Sequence, residues 1–295
     1  MPETLESMPA LPWLYARALR QAVRSRVRRG PSTGDAASDW RTEPVRVQGV
    51  PVVEDRLAAY RQVCGFAAGD AVPATYPQML AFPLQLLVLT SPRFPFPALG
   101  AVHVANAVEQ HEPVPPGALL DLAVHATDLR PHRRGRQVTV VTEARIAERV
   151  VWRAESDYLR VERTAPRAAG ADEVPPPHLT AARRDPASWE LLADLGRRYA
   201  AVSGDRNPIH LYDVTARPFG FRRHIAHGMW TLARCLAELE ADLPTRMRCE
   251  ASFRRPLTLP GRVGFTASPV DGGFEFSVGS TADPDRHLRG RVDKR

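Results

Sequence analysis

Residues 203–210 read Ser203-Gly204-Asp205-Arg206-Asn207-Pro208-Ile209-His210, which sets a carboxylate and an imidazole five positions apart on a segment bent by glycine and proline. Such a pair can take a proton at one atom and deliver one at another. Eighteen positions beyond the histidine, Gly228 opens an apolar stretch, 229–239, that predicts a buried helix entered at His227-Gly228. Backbone N–H groups at a helix start have no partner within the helix and are free to hold an oxyanion. Each residue also has an ordinary structural explanation. Gly-Asp pairs favour turns and caps, and a lone histidine among apolar residues is commonly a hydrogen-bonded core residue. The coincidence of Asp205 and His210 with Asn207 and Gly228 at these spacings favours chemistry.

The elements that must position this pair occur twice. Tyr60-Arg61-Gln62-Val63-Cys64-Gly65 and Tyr199-Ala200-Ala201-Val202-Ser203-Gly204 share tyrosine, valine and glycine at an offset of 139 residues. Glu112-Pro113-Val114-Pro115-Pro116-Gly117 likewise answers to Pro256-Leu257-Thr258-Leu259-Pro260-Gly261, and an alternating stretch follows each. Two similar folding units in tandem are the economical reading. Alternation and turn chemistry predict strands over 101–110, 119–128, 137–146 and 149–160 in the first unit, and over 247–253, 262–269, 274–280 and 287–293 in the second. The tip 131–136 is expected to be a hairpin loop, and Asp271-Gly272-Gly273 a turn. A helix packed on antiparallel strands in each unit gives an α+β class.

We place a first unit at 41–164 and a second at 186–295, joined by a proline-rich connector, 165–185, that includes Pro166, Pro175, Pro176 and Pro177. Residues 1–40 precede both. There Leu11, Tyr15, Leu19, Val23 and Val27 recur every four residues among arginines, which predicts a basic amphipathic helix over 11–29. Its apolar stripe is expected either to dock on the protein itself or to lie on a membrane surface. Residues 30–38 read as a flexible link.

A chain of 295 residues with 44% hydrophobic and 25% charged residues is long enough for two cores and ordinary for a globular protein. Its apolar runs are far too short to span a membrane, and no leader pattern opens it, so a cytoplasmic location is expected. Three cysteines without paired spacing, Cys64, Cys235 and Cys249, indicate neither a disulfide framework nor a zinc site. The net charge of +7 comes almost wholly from arginine, Lys294 being the only lysine. That excess reflects either codon composition or attraction to phosphate-bearing partners. A nucleic-acid partner is not expected, because the aromatic platforms of such proteins are missing.

The stretch 199–210, with its Ser-Gly-Asp-x-Asn-Pro-x-His core, and the later His227-Gly228-Met229 resemble the MaoC-like (R)-specific enoyl-thioester hydratases, the hydratase 2 family. The resemblance is sharp over about 195–261 and weaker, as a degenerate copy, over 50–165. It implies two fused hotdog units, each an antiparallel sheet wrapped around a central helix, with a silent first half. It also implies hydro-lyase chemistry, the reversible syn addition of water to a trans-2-enoyl thioester to give a (3R)-hydroxyacyl thioester. By that resemblance His210 serves the C2 proton, Asp205 the water or hydroxyl, the Gly228 amide the enolate-like oxygen, and Asn207 orients the turn. No metal or other cofactor is expected, and coenzyme A or an acyl carrier protein presents the substrate. Arg222, Arg223, Arg254, Arg255 and His227 are the expected substrate-binding residues, Arg255 first among them, since arginine suits phosphate by bidentate bonding. At the repeat offset Phe66 replaces Asp205, Ala71 replaces His210, and Phe82-Pro83 stands at the helix entry, where proline has no N–H. The first unit is therefore expected to be inert, with a shortened helix that leaves room for an acyl tail. A non-catalytic acyl-thioester binding subunit and a hotdog thioesterase are the alternatives. Whether the fused pair acts as a monomer or dimerises is open.

Overall fold

The computed structural model describes residues 3–27, 40–162, 187–280 and 282–295. In the first half β1 (Glu3–Leu5) and helix α1 (Leu11–Val27) lead into β2 (Val45–Pro51) and α2 (Glu54–Cys64). Two short helices, α3 (Tyr76–Leu80) and α4 (Phe82–Leu89), precede the strands β3 (Ala101–Gln110), β4 (Leu119–His132), β5 (Gly135–Ile146) and β6 (Arg149–Val161). The second half repeats the order with β7 (Ala187–Leu191), α5 (Leu195–Ser203), α6 (Asp213–Ala216), α7 (Gly228–Glu238), β8 (Met247–Phe253), β9 (Gly261–Val270), β10 (Gly273–Ser280) and β11 (Asp283–Lys294). The proposed connector 165–185 and the link 30–38 lie outside the described residues.

All eleven strands join in one sheet of order β1-β2-β4-β5-β6-β3-β8-β11-β10-β9-β7. Leaving β1 aside, the order is symmetric about the central β3–β8 pair, in which Asn106 opposes Ala251 and Val108 opposes Cys249. The repeat is thus a pseudo-twofold: each half contributes five strands, and the halves meet edge to edge, which removes the two edges that would otherwise be exposed. The buried strand pair carries small and apolar residues on its inner face, including Val108, Cys249 and Ala251. On the axis α2 packs against α5, and the matched tyrosines Tyr60 and Tyr199 sit with ring centroids 6.3 Å apart. Both helices end on a left-handed glycine, Gly65 and Gly204. Around each half the sheet curls over an apolar helix, α4 against β4 and β2, α7 against β10. Helices apolar on most faces are stable only when enclosed in this way, so the chain is two fused hotdogs of the α+β class. The three cysteines are free and buried, as packing residues.

Most strands occupy the positions that alternation predicts, but three features differ. The tip 131–136 is the expected hairpin but tighter: β4 and β5 continue to His132 and Gly135 and leave a two-residue turn, Arg133-Arg134. The short strands β2 and β7 escape the pattern, β2 because its register shifts between Val47 and Val50. Finally, the buried seam of α1 is not the four-residue stripe. Leu14 and Ala18 are fully buried, whereas Leu19 is 60% and Val23 54% exposed. Each step of four residues overshoots a turn by about 40°, so such a stripe winds off the contact face within a few turns. Helix α1 lies on α4, held by Arg17 Nε donating to Thr90 O at 3.0 Å and by Ala98 N donating to Gln21 Oε1 at 3.0 Å. The expectation that it docks on the protein itself is met. A membrane-surface role rests only on its exposed Trp13, Leu19 and Val23. No described helix is long and apolar enough to cross a membrane.

Candidate active site

The turn after α5 is built by side chains rather than by helix or sheet. Gly204 takes φ 78°, a left-handed conformation that ends the helix. Ser203 Oγ then accepts the Asp205 N–H at 3.1 Å, and Asp205 Oδ1 accepts the Asn207 N–H at 3.1 Å. Asn207 caps the following 3-10 turn, Pro208–His210, by accepting the Ile209 N–H. That turn lifts His210 inward, where its Nδ1 lies 2.8 Å from Ile225 O. A carbonyl can only accept, so Nδ1 carries the proton and Nε2 presents a lone pair.

Asp205, His210 and His227 each offer a ligand-type atom within 4.8 Å of the other two. His227 Nε2 donates to the Asp205 carbonyl at 2.9 Å and lies 3.8 Å from its carboxylate. The His210 and His227 rings stack at 3.7 Å with 25° between planes. These three residues are the described group that could hold a metal ion.

Burial pushes the Asp205 carboxyl above the usual carboxylate range, against the opposing pull of His210 and the Asn207 amide. Its side chain is 27% exposed, and it lines the cavity described below. His210 is pushed down to about 3, first by burial and then by His227. Burial also pushes His227 down to about 4. Near neutral pH the site therefore holds neutral imidazoles beside a carboxyl that retains its proton more readily than a solvated one.

A cavity of about 280 Å³ collects Asp205, Asn207, His210, His227 and Gly228 on one wall. Gly228 is the first residue of α7, and a Cβ there would stand 3.2 Å from the Phe253 ring. Glycine therefore admits close approach both to that ring and to the helix-start amide. The cavity extends into the first half, lined there by Met79, Phe82, Leu86 and Leu89 of α3 and α4, with Gln78 and Gln85 between them. His103 of β3 and Tyr158 of β6 stack at 4.9 Å, and His103 meets Phe253 at 4.9 Å. Of these, Phe82, Leu86 and Leu89 belong to the shortened helix that the sequence singled out, whereas His103 and Tyr158 were marked only by their place on expected strands. The first-half counterparts of the pair are elsewhere: Phe66 is buried against Tyr60, and the Ala71 carbonyl accepts from Arg61.

The expected arginines divide. Arg254 and Arg255 border the cavity; Arg254 pairs with Asp285 at 2.9 Å, and Arg255 is exposed. Arg134, from the β4–β5 turn, borders it as well and was not singled out by sequence. Arg223 instead donates to the carbonyls of Leu259 and Pro260 at 3.1 and 2.5 Å, and exposed Arg222 does not line the cavity. Between them and the site, His224 pins α6 to the core, with Nδ1 2.5 Å from Asp213 Oδ1 and Nε2 2.8 Å from Ala193 O.

Two fused hotdogs in which Asp205, His210 and the Gly228 helix start line one cavity make up the architecture, and the chain belongs to the MaoC-like dehydratase family. A family profile described as a MaoC like domain matches residues 179–271. The 3-hydroxyacyl-thioester dehydratase X of Mycobacterium tuberculosis is 36% identical over 249 residues, 84% of this chain and 88% of that relative. A crystal structure of HtdX from M. tuberculosis superposes with a TM-score of 0.75 at 34% identity, covering 86% of this chain and 100% of that one. A MaoC-like dehydratase from Phytophthora capsici shares the fold at 15% identity, with a TM-score of 0.70 over 86% of this chain and 95% of its own.

Proposed function

We propose that the protein is a hydro-lyase that interconverts trans-2-enoyl and (3R)-hydroxyacyl thioesters. The observation that carries this reading is a neutral His210 with a free Nε2, set beside Asp205 in the cavity that also contains the Gly228 helix start. In the dehydration direction His210 Nε2 takes the C2 proton. Electron density moves toward the thioester carbonyl oxygen, which the Gly228 N–H holds at the positive end of α7. Protonated Asp205 gives its proton to the C3 hydroxyl, which leaves as water as the double bond forms. The C3–O bond breaks, one water departs, and the proton on His210 replaces the one lost by Asp205. Hydration runs the same steps backward. One oxyanion donor of this kind is worth about 3–4 kcal/mol in other enzymes.

The reaction uses no metal and no redox cofactor. Coenzyme A or an acyl carrier protein enters as carrier of the substrate, with Arg255, Arg254 and Arg134 at the mouth available to its phosphates. The acyl tail extends toward the apolar walls of the first half, and that half transfers no protons. The name of the Mycobacterium tuberculosis relative supports the substrate class. Incubation with crotonyl-CoA tests the assignment: loss of the enoyl absorbance with formation of (3R)-hydroxybutyryl-CoA is expected. Release of free thiol without hydration would point to a thioesterase instead.

A further inference from the structure

Helix α1, which precedes both hotdog units, reaches the catalytic turn. The Tyr15 hydroxyl donates to Gly204 O at 2.9 Å and accepts the Arg206 N–H at 2.6 Å. These are the peptide groups on either side of Asp205. The Asp205 carbonyl is taken by His227 and its N–H by Ser203. Every backbone polar group from Gly204 O to Arg206 N is therefore held by a side chain, and two of the four bonds end on one hydroxyl. Leu11, one turn earlier, packs against Gly204. The helix is anchored independently of the turn, through buried Leu14 and Ala18 and through the bonds from Arg17 and to Gln21. Burial and the nearby Asp205 charge push the Tyr15 hydroxyl upward, so it stays protonated and can act as donor and acceptor together.

We infer that Tyr15 is a positioning residue for the proposed proton transfer: it clamps the turn so that the Asp205 carboxyl keeps its place beside His210. This rests on the assignment of Asp205 given above. Tyr15 borders the cavity, yet both partners of its hydroxyl are backbone groups, so it acts through the turn. A group displaced by about 1 Å loses on the order of 100-fold in rate. Removing the hydroxyl also leaves Gly204 O and Arg206 N without their partner.

The test compares Tyr15→Phe with Val138→Ala in the full chain, by hydration of crotonyl-CoA and by thermal melting. Tyr15→Phe keeps the ring and should lower kcat roughly 10- to 100-fold, with KM changed less than about threefold. Val138→Ala, which opens a core gap in β5 away from the cavity, should lower Tm while leaving kcat near wild type below the transition. In an Asp205→Asn background Tyr15→Phe should cost little further, since the group it positions no longer transfers a proton. Wild-type kcat in Tyr15→Phe, or an equal fall in Val138→Ala, would overturn the inference. The underlying assignment fails separately, if Asp205→Asn alone remains fully active.

Discussion

Burial moves the two groups of the proposed proton transfer, His210 and Asp205, in opposite directions. A buried imidazole resists protonation, and a buried carboxyl resists ionisation. His210 is pushed down to about 3, so it remains an unprotonated base far below the ordinary histidine range near 6.5. We therefore expect kcat/KM to stay level as pH falls through about 6.5, and to decline only nearer the depressed value. A pH profile that loses activity with an apparent pKa of 6 to 7 would show a solvated histidine and contradict the geometry. That these two side chains would come together was legible in the sequence from their types and spacing, and the fold places both on one cavity. Their supports were not legible. The Tyr15 hydroxyl comes from a helix 189 positions before Gly204, and the stacking of His227 on His210 depends on how the loop between them folds.

At the scale of elements, the entrance of α7 combines a helix start with a wall. Gly228 is needed less for backbone freedom than for space, since a methyl group at its Cβ would press the Phe253 ring at 3.2 Å. Gly228→Ala should lower kcat about 10- to 100-fold while leaving the chain folded, because its amide must retreat from the substrate oxygen by a few tenths of an ångström or more. Steady-state kinetics with circular dichroism would check this; an unchanged kcat would remove that amide from the mechanism. The long strands with one buried face were readable, as in β3, whose bounds alternation alone predicts, while short β7 alternates over too few residues to stand out. The seam of α1 was misread. Four-residue spacing resembles a helix face over one turn and drifts from it over four, and the partner surface on α4 selects Leu14 and Ala18 instead. Likewise, nothing local distinguishes Arg223, which binds two carbonyls, from Arg255, which borders the cavity.

For the whole molecule, duplication separates the two demands on a hotdog pair. One half carries the Asp205–His210 turn of the proposed proton transfer; the other has core there, at Phe66, and lends its walls to the shared cavity. The repeat was visible in sequence, but the continuous sheet was not, since pairing of β3 with β8 joins residues about 140 positions apart. Three buried histidines, His103, His210 and His227, are held down to about 4, 3 and 4. Below about pH 6.5 the unfolded chain binds protons at these positions and the folded one does not, so stability falls as pH drops from about 6.5 toward 4. A fall in Tm of roughly 5–10 °C across that window is expected from calorimetry. Asp205 has the opposite sign: its raised folded value favours the native state at low pH, and that contribution is lost as pH rises through it. Asp205→Asn should consequently hold or raise Tm at neutral pH, which makes it a clean probe of chemistry. The most direct measurement is crotonyl-CoA hydration by wild type, Asp205→Asn and His210→Ala, each with its melting curve. The account predicts measurable turnover in the wild type and a loss of at least about 100-fold in each variant with the fold retained. Wild-type turnover in either folded variant would contradict it.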